Sequence, residues 1–292
     1  MSIHLSTRAA RIPLPLAGSG SPVARRSQRA SGKSRANKQA DASHSPLFKY
    51  ILSLADDALV LGHRLSEWSG QAPMLEEDIA LSNLALDLIG QARLYYAYAG
   101  EVEGKGRDEV ALAYLRDEHS FANLLLVEQP NGDFATTMVR QLLYAAFMHT
   151  YYQALAASRD RRLAEIAAKA VKEMAYHVRH AAEWVVRLGD GTEESRARAA
   201  AALDELWMYT GELFEMDAGE RALLADGIAV DRDGIRRRWE ATIGAVLAEA
   251  TLQRPADRWM QSGGRAGRHS EHLGPMLAEM QVLHRAHAGV TW

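Results

Sequence analysis

The sequence predicts an all-α protein, a four-helix bundle with additional C-terminal helices. From Phe48 onward apolar residues recur at helical spacing almost without interruption, and no stretch alternates with period two for long enough to make a strand. Breaks rich in Gly, Pro and Asn cut this pattern into long segments. The short turns between the first and second segments and between the fourth and fifth predict two antiparallel hairpins. Packed together, with the third segment as crossover, these make the ferritin-like arrangement.

In the first helix Ile51, Leu54, Ala58, Leu61, Leu65 and Trp68 form one stripe, which Ser69-Gly70-Gln71-Ala72-Pro73 ends. The second begins on Glu76-Glu77-Asp78, acids suited to the positive end of a helix dipole, and runs to about Gly104. A third helix is expected from Asp108 to Val127, before the dense turn signal Gln129-Pro130-Asn131-Gly132-Asp133. The fourth should run from Phe134 to Ala157, and the fifth from beyond Ser158-Arg159-Asp160 to Leu188, stopped by Gly189-Asp190-Gly191. A sixth is expected from Glu194 to Met216 and a seventh from Arg232 to Thr251. The segment holding Gly263 to Arg268 reads as loop, and a short helix from Pro275 to His287 closes the chain. No fixed-period repeat is present, which argues against a solenoid.

The chain holds 292 residues without a cysteine, which excludes disulfides, thiolate catalysis, iron–sulfur clusters and cysteine zinc sites. Any metal would sit on His and carboxylates. No apolar run approaches the roughly 18 residues of a membrane span, and the first residues lack a secretory signal, so a cytoplasmic protein is expected. Eight basic residues precede residue 46 against Asp41 alone, so this tail carries +7 and the remainder, from a total of −3, carries −10. An acidic body disfavours nucleic-acid binding, which starts with clustered Lys and Arg on phosphates. Residues 1–46, biased to Ser, Ala, Gly and Arg, read as a disordered basic tail, a misassigned start or a transit-like appendage; the helical domain is expected at 47–292.

A bundle of this kind seats two irons with one carboxylate from each of two helices and a Glu-x-x-His from each of the other two. On the second helix Asn83, Asp87 and Gln91 form a polar line expected to point inward, yet Gly90 stands where the histidine after Asp87 belongs. Equal rise along an antiparallel hairpin puts Asp56 or Asp57 opposite Asp87. The fourth helix holds no Asp or Glu, only Gln141 and His149, and on the fifth Glu173 is followed three residues later by Tyr176. Two hard irons need several carboxylates to offset their charge, so no di-iron site is expected here. Asp56, Asp87, Gln141, Glu173, Tyr176 and His177 are expected instead as a vestigial ligand pocket, a buried hydrogen-bonded network. The alternative is one zinc or iron on Glu173, His177 and His180, which share a face.

The Gly263 to Arg268 loop, with Arg265 and Arg268, is a candidate partner-facing or phosphate-binding turn. Gly32-Lys33-Ser34 has Ser27 where the first glycine of a phosphate loop belongs and no preceding strand. The chain lacks a Gly-x-Ser-x-Gly elbow and a dinucleotide fingerprint, and Trp68, Trp184, Trp207 and Trp239 read as packing.

Three strings carry a family resemblance: Arg64-Leu65-Ser66-Glu67-Trp68, the run from Asn123 to Gly132 (Asn-Leu-Leu-Leu-Val-Glu-Gln-Pro-Asn-Gly), and that from His272 to Gln281 (His-Leu-Gly-Pro-Met-Leu-Ala-Glu-Met-Gln). In these, across about Leu47 to Trp292, the chain resembles the C subunits of bacterial ring-1,2-phenylacetyl-CoA epoxidase, a multicomponent oxygenase of phenylacetate breakdown. The basic tail before His44 departs from the family pattern. The resemblance implies a ferritin-like, non-catalytic subunit without a cofactor of its own. Its implied partner is an A subunit that carries the di-iron centre and binds phenylacetyl-CoA, and through it the other components, including the reductase.

Overall fold

The computed structural model describes residues 45–287 and residue 290. The chain divides into Met1–Lys38 and Gln39–Trp292. The first unit, and the expected basic tail as far as residue 44, lie outside the described residues.

Ten α-helices and no strand occur among the described residues. Helix α1 (Pro46–Ser66) starts where Ser45 Oγ accepts the Phe48 amide at 3.1 Å, with Pro46 pre-set for a first helical position. Helix α2 (Leu75–Glu103) stops at Gly104, whose φ of 68° only glycine adopts without strain. Helices α5 (Phe134–Leu155) and α6 (Arg161–Gly189) begin on the aspartate caps Asp133 and Asp160. These four make the bundle: α1 packs along α2, α5 along α6, and α2 against α6. Helices α1 and α5 are buried on nearly every side, as helices apolar all round must be. Helix α7 (Glu193–Trp207) and helix α9 (Arg232–Glu249) cover α5, while helix α10 (Leu273–Ala286) returns to the crossover.

Two expected helices are corrected. The crossover is not one helix from Asp108 to Val127 but α3 (Glu109–Tyr114), a 3-10 turn at Glu118–Ser120 and the single turn α4 (Leu125–Glu128). The cause is competition for backbone donors. The amides of Ala122, Leu124 and Leu125 go to the carboxylates of Asp56, Asp57 and Glu212, at 2.8, 2.7 and 2.8 Å, so they cannot close helical turns. The expected sixth helix ends at Trp207 rather than Met216. Thr210 Oγ1 donates to the Trp207 carbonyl at 2.8 Å, and a 3-10 turn at Gly211–Phe214 swings Glu212 inward. Helix α8 (Ala218–Ala225), capped by Asp217, lies where no element was expected.

Leu143, fully buried in the middle of α5, tests the packing: Leu143→Ala should cost about 2–5 kcal/mol, read as a fall in the denaturant midpoint at unchanged m-value.

Candidate functional site

Of the polar line on α2, Asp87 and Gln91 meet α5 and α6 in the bundle, while Asn83, expected to point inward with them, is exposed. Gln141 Nε2 lies 3.0 Å from His177 Nδ1, and His177 Nε2 lies 3.2 Å from Asp87 Oδ2. With the amide so oriented, Nδ1 accepts and the ring donates from Nε2 to Asp87. About one turn away Gln91 Nε2 donates to Glu173 Oε2 at 2.9 Å, and Tyr152 donates to Gln91 Oε1 at 3.1 Å. His177 and Gln141 are wholly buried; the Asp87 side chain keeps 37% of its exposure and Glu173 19%, so the cluster opens between α2 and α6.

Several expected members lie elsewhere. Asp56 does not face Asp87, because Arg116 from the crossover takes both its oxygens and Tyr96 donates to Oδ1 at 2.5 Å. A fully buried carboxylate draws in the nearest cation, and Arg116 outcompetes the far side of the bundle. Tyr176 is on the surface, stacked on His180 and beneath Arg179, since its position falls on the solvent face of α6. His180 turns to Glu77, at 2.8 Å, and Glu173 to Gln91, so Glu173, His177 and His180 do not converge. His149 bonds Gln153, at 3.2 Å.

The donor set does not fit two irons. Among the described residues no three His, Asp or Glu side chains cluster closely enough to hold a metal ion. Where a bridging carboxylate is required α5 supplies neutral Gln141, whose Oε1 is buried without a partner.

The densest chemistry lies outside this cluster, along α1 from Ser53 to Arg64. Arg265 grips Asp57 with two nitrogens, at 3.0 and 2.6 Å, and donates at the same time to the carbonyls of Ser53 and Ala122. Glu212, nearly inaccessible, accepts the amides of Gly263, Gly264 and Leu125. Glu128 accepts from Asn123 and from the Ser270 amide, and it pairs with His269 at 2.8 Å. Arg64 donates to the carbonyls of Glu128 and His272, and Arg140 to the Gln129 carbonyl and Asn131. A Cβ on Gly264 would lie 2.2 Å from the Asn123 carbonyl oxygen, so the C-terminal loop can approach the crossover this closely only as glycine.

Arg265, a candidate phosphate or partner residue, is the counter-ion of Asp57, and its side chain stays 21% exposed where it faces a cleft. Arg268 is exposed, and it lines a cleft of about 800 Å³ with Lys49, His119, Glu215 and Asp217, a mixture without a dominant charge. Sequence reading missed Arg116, Glu128 and Glu212, which no helical period marks. The three strings of the resemblance held the available signal, since Arg64, Asn123, Glu128 and His272 all belong to this lattice.

Burial pushes the Asp57 carboxyl up to about 6 in spite of Arg265. Burial lowers the proton affinity of His269, but the hydrogen bond and charge of Glu128 outweigh it and hold the imidazole above its usual value. Burial beside Arg64 brings Arg140 down to about 9.

Fold and core together define a class: a ferritin-like helical protein whose bundle holds a polar cluster with two carboxylates, Asp87 and Glu173. The sequence profile of the phenylacetic acid catabolic protein family matches residues 30–292, and the chain belongs to that family. It is 50% identical over 246 residues, 84% of this chain and 99% of the relative, to the C subunit of 1,2-phenylacetyl-CoA epoxidase from Escherichia coli (strain K12).

Removing one partner of a buried pair strands the other. Arg265→Ala should lose about 3–5 kcal/mol, whereas Arg268→Ala, at an exposed position, should stay within about 0.5 kcal/mol, both measured by chemical denaturation. The pH dependence has a definite sign. The folded pKa of Asp57 is raised, so the folded state holds the proton more tightly and stability falls as pH rises from about 4 to about 6. Relative to Asp57→Asn, the wild type should lose on the order of 2–3 kcal/mol across that window; parallel stability curves for the two proteins would refute the assignment.

Proposed function

We propose that this chain is the supporting, non-catalytic subunit of a multicomponent 1,2-phenylacetyl-CoA epoxidase. In this reading it holds the A subunit that carries the di-iron centre, and the reductase acts on the assembly through that subunit. The observation that carries the reading is the 50% identity, over 84% of this chain and 99% of the relative, with the C subunit of such an epoxidase. The donor set agrees with it, because a cluster centred on neutral Gln141 and His177 sets only two carboxylates, Asp87 and Glu173, against the charge of two irons.

In this reading Asp87, Gln141, Glu173 and His177 are what remains of an ancestral ligand pocket, kept because each is now hydrogen-bonded. Their work is structural, tying α2, α5 and α6 together.

Co-expression with the A subunit tests the proposal. The pair should co-elute and turn over phenylacetyl-CoA with reductase and oxygen, while the chain alone should be inactive and hold iron below about a tenth of an equivalent. An A subunit equally soluble and active without this chain would overturn it, as would stoichiometric iron in the chain alone.

A further inference from the structure

The large apolar side chains exposed on the described surface are not scattered. Of eleven, eight lie on α2, α3, α10 and their flanking caps: Met74, Leu75, Ile79, Leu86, Val110, Leu115, Val282 and Leu283. At about 100° per residue, Leu75, Ile79, Ser82, Leu86, Gly90 and Arg93 fall within an arc of about 80°, opposite the core-facing Leu81, Leu84 and Leu88. Their spacing of four, three, four, four and three is close to the 3.5-residue seam on which a second helix lies down. A Cβ built on Gly90 meets nothing within 4 Å, so a neighbouring backbone has room to approach.

Arg93 bonds Glu109 of α3 at 3.3 Å, and α3 packs on both α2 and α10, so the α2 seam continues into the apolar positions of those helices. The seam alone is too small for a stable partner. Helix α2 has 29 residues and is about 43 Å long, so a strip one helix diameter wide, about 10 Å, covers on the order of 400 Å². That is half of the roughly 800 Å² each side of a stable interface gives up. A single peptide helix would leave α3 and α10 bare; a folded subunit reaches all three.

We propose that the α2 face, extended by α3 and α10, is the seat of the A subunit. This rests on the function proposed above. The charge of the chain favours a different partner over a second copy. The body carries −10, so two copies of it repel, and the rim of the seam adds Glu76 and the half-exposed Asp87. The partner's matching helix therefore presents an apolar seam flanked by Lys or Arg. Once seated, it closes the opening between α2 and α6 over Asp87 and Glu173.

The test uses full-length Leu86→Glu and, as a second seam variant, Ser82→Arg, with Trp259→Ser, exposed on the loop that packs on Met208 and Gly211 beyond α7, as control. Both seam variants should keep wild-type melting and helicity yet bind the A subunit at least about tenfold more weakly, while the control binds as wild type. Wild type that fails to bind the A subunit would overturn the function proposed above. Wild type that binds, with both folded seam variants binding equally well, would overturn the face alone. So would a wild-type homodimer that the seam variants dissociate without loss of A-subunit binding.

Discussion

Two consecutive carboxylates, Asp56 and Asp57, stand fully buried in the middle of α1, and the arrangement of everything beyond the bundle follows from their need for cations. A buried, unpaired carboxylate is too costly to keep, and α1 and α2 offer no cation for either. Arg116 arrives from the crossover and Arg265 from the C-terminal loop, each bringing its own segment against the same stretch of α1. The crossover then surrenders its helical amides to these acids, and Glu212 pulls the end of α7 inward to accept three more. Charges that individually cost stability thus specify where three remote segments go.

The bundle itself was legible in the sequence because its signal is local. Ser45, Asp133 and Asp160 cap helices whose apolar stripes repeat every three or four residues, and nothing in the tertiary structure contradicts them. The crossover was not legible, for an opposite reason. Leu124 to Glu128 has ordinary helical composition, and only a carboxylate some seventy residues earlier in the chain decides that its amides bond elsewhere. Arg265 misled in the same way: a lone arginine in a glycine-rich loop gives no hint that its partner is 208 residues distant.

The interior of the bundle was half legible. Period four on α2 correctly turned Asp87 and Gln91 towards α6, and the lack of acids on α5 was visible by inspection. The neighbour of Asp87 was not, because rise per residue fixes height along a hairpin and not which way a side chain leans. Asp87 leans to His177, and Asp56 to Tyr96 and the crossover's Arg116, so the cluster around His177 ties α2, α5 and α6 while Asp56 joins α1 to α2 separately.

The Asp57–Arg265 pair also bears on the order in which the protein is made. Asp57 leaves the ribosome 208 residues ahead of Arg265, so all four helices of the bundle emerge before the cation reaches its acid. Until then the middle of α1 must remain hydrated, because closing the bundle over a bare carboxylate would be uphill. Such distant pairing is slow to search for, and it ties the collapse of the bundle to a segment translated long after it. A chain cut short before residue 265 would hold every helix of the bundle and still lack the charge that lets it close.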